Sequence, residues 1–168
     1  GPPMIPSAYN NNVQLVQTQD HIVILNEMVH TARIIRLDSE HHTKQLKWEG
    51  DSVAYWEDDT LVVHTQNYYH DYNYAGMSDQ AQITERFSRL DADTLNYDFT
   101  VEDPQSWDET WSAKFPLRRA GDPLYEYACH EGNHGLVGIL AGWRRYESMG
   151  FNGDGSPLSD TGTVATEE

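Results

Sequence analysis

The chain has 168 residues, of which 38% are hydrophobic and 11% aromatic, which suits one domain with a sizeable core rather than a disordered segment. Eleven Lys+Arg stand against 27 Asp+Glu, giving a formal charge of −16 at pH 7. That balance excludes a basic face able to displace counterions from nucleic acid, and it disfavours an anionic membrane surface.

The opening, Gly1 to Asn12, holds three prolines and the run Asn10-Asn11-Asn12, and reads as an irregular lead-in. Gly1-Pro2-Pro3 in place of an initiator methionine fits either a processed product or an engineered start, and no signal peptide is visible. Short β-rich runs follow. Val13 to Thr18 turns at Gln19-Asp20, and His21 to Val29 contains contiguous Ile22, Val23, Ile24 and Leu25, as in a strand covered on both faces. Arg33 to Leu37 ends at Asp38-Ser39. Ser52 to Gln66 reads as a hairpin about Glu57-Asp58-Asp59. Asn67 to Ser78, rich in Tyr, Asn, His and Asp, reads as a long loop carrying Tyr68, Tyr69, Tyr72 and Tyr74. A second hairpin runs from Ala81 to Val101 across Asp91-Ala92-Asp93. It places Ile83, Glu85 and Phe87 on one face and aligns Leu95, Tyr97, Phe99 and Val101. Trp111, Ala113, Phe115 and Leu117 mark a further strand, and Tyr125 to Cys129 a closing one.

The pattern predicts about eight strands in a mainly antiparallel, largely closed sheet over residues 13–119. Leu136, Ile139, Leu140 and Trp143 recur at helical spacing, so one helix is predicted within 135–149, with Asn133 as N-cap and Gly150 as stop. Residues 1–150 then form a single β-barrel domain, and 151–168 a flexible or partner-dependent tail. The five tryptophans are assigned to the core by default, with one or two free to line an apolar pocket. No apolar run reaches the roughly 18 residues of a membrane span.

Tyr9-Asn10-Asn11-Asn12, Glu27-Met28-Val29-His30, Arg33-Ile34-Ile35, Trp56-Glu57-Asp58-Asp59-Thr60-Leu61-Val62-Val63, Glu85-Arg86-Phe87, Phe99-Thr100-Val101-Glu102-Asp103-Pro104 and Tyr125 through Asn133 resemble, as a set, a widespread family of uncharacterised bacterial proteins. The likeness spans roughly four-fifths of the chain. It implies a β-rich, lipocalin-like barrel and, because many members look exported, a periplasmic or secreted setting; it brings no activity. His64 stands where the family more usually has an acidic residue, and His134 where it has an aromatic one.

His130-Glu131-Gly132-Asn133-His134 spells HExxH, which binds zinc when a helix puts both histidines on one face beside the glutamate. Gly132 and Asn133 disfavour a helix interior, and Asn133 suits a cap, so the spacing argument fails and no metal is assigned. Cys129 is the lone cysteine, which excludes an intrachain disulfide and a multi-cysteine metal site. It points away from His130 in an extended run, which argues against thiol catalysis. His41-His42 and His70 fall in polar loops.

Alternation puts Glu27 on the face of Val23, Leu25 and Val29, and Glu85 between Ile83 and Phe87. A carboxylate facing a core is costly unless paired or solvated. It is either a buried ion pair, with Arg33 or Arg86 as partner, or a polar group in a ligand cavity, where desolvation tunes an acid or base. The leading functional expectation is a small-molecule enzyme of lyase or isomerase type, acting on an apolar or aromatic substrate without a cofactor. His30 and His130 carry protons there, Glu27 and Glu126 orient them, and Arg33, Trp56, Glu85 and Tyr9 bind substrate. The first alternative is a non-catalytic lipocalin-like binding protein using the same cavity. The second is a metal-assisted enzyme built on His130. The expected partner is one small molecule, not nucleic acid or membrane, and a homo-oligomer is allowed.

Overall fold

A computed structural model describes residues 2–7, 11–38, 42–69, 76–125, 135–152 and 156. The chain divides into two compact units, residues 1–127 and 128–168. The first holds strands β1 (Val13–Gln17), β2 (His21–Asn26), β3 (Ala32–Leu37), β4 (Asp51–Glu57), β5 (Thr60–Gln66), β6 (Gln82–Arg89), β7 (Thr94–Glu102) and β8 (Trp111–Arg118). The second holds helix α1 (Gly135–Ser148). No helix of the described residues is long and apolar enough to cross a membrane.

Period-two patterning decides which way each strand faces. Ile22, Ile24, Ile35, Ala54, Val63, Ile83, Phe87, Tyr97, Phe99 and Val101 fall on one face and form the core. The eight strands join in chain order as one curled, half-barrel sheet with that face on the concave side. Six pairings are antiparallel, as expected.

Two features of the predicted sheet need correction. First, the sheet is mixed: β3 and β4 run parallel, with Ile35 opposite Ser52 and Leu37 opposite Ala54. A parallel return needs a crossover of about a dozen residues, and the stretch from Asp38 to Gly50 supplies it. Asp38, at φ 52°, turns the chain out of β3, and its amide donates to the Ala54 carbonyl at 2.8 Å. At the far end Gly50 has φ 71°, and a Cβ there would lie 2.6 Å from Thr65 Cγ2 and 2.8 Å from the Tyr68 ring. Only glycine lets the crossover lie that close to β5. Second, among the described residues β1 and β8 are unpaired edges rather than a closed seam. Both are wetter than the central strands: β1 is exposed except at half-buried Val13, and no residue of β8 is fully buried.

Strand β2 also stops earlier than its apolar run suggests. The Asn26 amide donates to the Thr31 carbonyl at 3.0 Å and closes a turn over residues 27–30, where Val29 and His30 take φ of 62° and 52°. The buried face of β2 is Ile22, Ile24 and Asn26, not the Val23–Leu25–Glu27 face. The tryptophans depart from the core assignment: Trp107 and Trp111 pack against the core, whereas Trp48, Trp56 and Trp143 are about half exposed.

Helix α1 ends as predicted at Gly150, φ 81°. The Phe151 amide donates to the Tyr146 carbonyl and the Gly150 amide to that of Glu147, both at 3.0 Å, the paired bonds of a Schellman stop. Asn133 and the proposed strand over Tyr125–Cys129 lie outside the described residues except for Tyr125.

Candidate functional site

On the concave face, β3 and β6 each place one charged side chain among apolar neighbours. Arg33 is 3% exposed and Glu85 is fully buried. Arg33 Nη2 donates to Glu85 Oε1 at 2.9 Å, and Nη1 donates to the other carboxylate oxygen. From β7 the Tyr97 hydroxyl donates to Glu85 Oε1 at 2.7 Å. Arg33 Nη1 also reaches the Thr65 hydroxyl at 3.5 Å, which lies 2.8 Å from the Ser52 hydroxyl. Burial by itself would depress the Arg33 guanidinium; the Glu85 carboxylate beside it overrides that and holds it above the ordinary arginine value. Burial, and then the Glu85 charge, push the Tyr97 phenol well above its usual range. Arg33 is therefore a permanent cation and Tyr97 a permanent donor, a charge-assisted fork that compensates a buried carboxylate.

The Tyr97 oxygen has a further partner. The backbone amide of Met4 donates to it at 3.0 Å, and Pro2 and Pro3 are buried alongside. The lead-in is thus seated on the core. It returns towards β1 through Ser7 and Asn11, whose backbone and side-chain amides exchange two hydrogen bonds of 2.9 and 2.6 Å.

Between the two edges lies a trough of about 1240 Å³. Its lining is apolar and polar in equal measure: the apolar side chains include Met4, Val13, Leu15, Leu95, Phe115 and Leu117, and the polar groups include Asn26, Glu27 and Arg89. Inward-facing residues of β1 and β8 line it because their sheet neighbours lie on one side only.

Of the residues singled out from the sequence, Arg33 and Glu85 meet as a buried ion pair. Glu27 is half-buried in the turn after β2, accepts from Asn12 Nδ2 at 3.1 Å and lines the trough. Its expected burial with Val23 and Leu25 fails because the buried face of β2 is that of Ile22, Ile24 and Asn26, and the strand ends before Glu27. His30 is exposed in the same turn and is not among the residues lining the trough. Trp56, at the end of β4, is 45% exposed. Arg86 pairs with Glu57 on the outer face instead of with Glu85. Tyr9, Glu126 and His130, with Cys129 and His134, lie outside the described residues. Among the described residues, no three His, Cys, Asp or Glu side chains gather into a metal-binding group.

Reading along the chain missed Tyr97 and Asp51. Tyr97 carried a signal, since it shares the alternating face of Phe99 and Val101 and its hydroxyl there must find a partner. Asp51 gave none. It opens β4 beneath the crossover, fully buried. It accepts from Arg36 Nη2 at 2.9 Å, Arg36 Nη1 at 3.0 Å, Lys47 Nζ at 2.6 Å and the Thr43 amide at 2.8 Å. Burial alone would raise its carboxyl, but these donors hold it well below the usual carboxylate range. His42 Nδ1 lies 3.4 Å from the same carboxylate. On the outer face nearby, His64 Nδ1 is 3.1 Å from the Thr84 hydroxyl, and burial, then the positive fields of His42 and Arg86, depress its imidazole.

No protein-family model, curated protein or solved structure matches the chain.

Proposed function

We propose that the protein binds a small amphipathic molecule in the trough between β1 and β8, as a lipocalin-like half-barrel and not as an enzyme built on His30. The observation that carries this reading is the trough itself: about 1240 Å³ lined in equal measure by apolar and polar groups, with carboxylate, amide and guanidinium groups among the polar ones. Ligand sites are concave and pair apolar surface with polar groups that fix orientation, and a trough of this size and even balance accepts a drug-sized amphipathic body. The Arg33–Glu85–Tyr97 cluster supports binding over catalysis, because its charges are spent on one another beneath the wall. The resemblance to exported bacterial proteins favours a periplasmic or secreted setting. Acid–base chemistry keeps one supporting observation, that Glu27 puts a carboxylate in the trough wall.

Titration with the neutral fluorophore N-phenyl-1-naphthylamine tests the proposal. Saturable enhancement near one equivalent is expected. Leu117→Glu, on an edge strand, is expected to weaken it by about tenfold, about 1.4 kcal/mol, while leaving the β-rich circular dichroism spectrum intact. Enhancement that does not saturate, or that Leu117→Glu leaves unchanged, overturns the reading.

A further inference from the structure

We infer that the segment Pro2–Ser7 is a displaceable strap: Met4 stands between the trough and the Tyr97–Glu85–Arg33 cluster, and ligand entry lifts it from Tyr97. The inference rests on the binding proposed for the trough and adds a moving part to it.

Met4 has two faces in the structure. It lines the trough, together with Ile5, Pro6 and Ser7, while its amide donates to the Tyr97 hydroxyl at 3.0 Å. Tyr97 is not itself among the trough-lining residues. The strap, not the sheet, is therefore the trough wall at this point, and the polar cluster lies behind it. The segment is not part of any strand. Its hydrogen bonds include the Ile5 amide to the Pro3 carbonyl at 3.0 Å, made within the segment, and the Ser7 exchange with Asn11 side-chain atoms. Such a segment can open without breaking a ladder, whereas β6 and β7 share eight residue pairs and open only with the sheet. When Met4 leaves, the Tyr97 oxygen recovers an acceptor position, while its hydroxyl still donates to Glu85. A ligand bearing a hydroxyl or amide N–H at its apolar end can take the place of the Met4 amide. The strap is then a built-in competitor, and its removal is worth affinity.

Hydrogen exchange of the intact chain reads the strap directly. Pro2, Pro3 and Pro6 carry no amide proton, so exchange in this stretch reports Met4, Ile5 and Ser7. In the free protein these amides are expected to exchange at least about 100-fold faster than those of Glu85 and Phe99, through local opening. Saturating N-phenyl-1-naphthylamine should speed them further. Exchange at the rate of β6 and β7, or fluorophore-induced slowing, overturns the strap. Absence of saturable binding to the wild-type chain sinks the trough reading instead, and exchange in the free protein then still decides whether the strap opens.

Discussion

Two fully buried carboxylates, Glu85 and Asp51, are compensated in opposite ways. Glu85 sits on the concave face with a partner as buried as itself, Arg33, at 3% exposure. Asp51 sits beneath the crossover with partners that keep contact with water: the side chain of Arg36 is 26% exposed and that of Lys47 39%. If Asp51 is removed, its cations can turn outward and be hydrated. If Glu85 is removed, Arg33 keeps its charge and has nowhere to take it. A buried ion pair therefore contributes little as a whole yet is costly to halve, while a half-wet hub behaves as a set of charge-assisted hydrogen bonds.

The largest expected effect follows from halving the inner pair. Glu85→Leu should cost about 3–5 kcal/mol in urea unfolding, because it strands a buried guanidinium. The double variant Arg33→Met with Glu85→Leu should recover most of that loss. A double variant no more stable than Glu85→Leu would mean that the pair itself, rather than its imbalance, stabilises the fold.

The outer hub should break more gently and with a pH signature. The folded-state carboxyl of Asp51 titrates below its unfolded value, so its contribution is present above the ordinary pKa of about 3.9 and is lost as pH falls towards the depressed folded value. Asp51→Asn should cost about 1.5–3 kcal/mol at pH 7. It should also flatten the loss of stability below about pH 4.5, measured by thermal melts across pH. An unchanged acid limb would assign that loss to other carboxylates.

The outer pair of Arg86 and Glu57 marks the weak end of the series, with side chains 39% and 53% exposed. Burial hardly opposes it, and water competes for both groups. Arg86→Ala should change stability by less than about 1 kcal/mol, and by less still in 1 M salt. A cost matching that of Asp51→Asn would show that exposure does not rank these pairs.

Local pattern by itself determined much of this protein. Alternation along Ile83–Glu85–Phe87 and Leu95–Tyr97–Phe99–Val101 decided which faces are buried, because each side chain in a strand has only two sides to choose from. It also exposed the anomaly of Glu85 on an apolar face and named Arg33 as a candidate partner. Gly150 and the apolar spacing of residues 136–143 placed the helix and its stop. Tertiary structure alone decided the rest. The parallel return into β4 depends on where a crossover lies in space, which no periodicity encodes. The end of β2 at Asn26 is set by pairing with β3, and because Ile22-Val23-Ile24-Leu25 are apolar on both sides, only the sheet decided that Ile22 and Ile24 face the core, so the predicted face of Glu27 was wrong by one strand side. Asp51 is buried by a segment that folds over it, and its sequence neighbours Gly50 and Ser52 reveal none of its donors. The seat of Met4 on Tyr97, 93 residues apart, is of the same kind. Contacts between distant segments arise from the curl of the sheet, and only the folded chain fixes that curl.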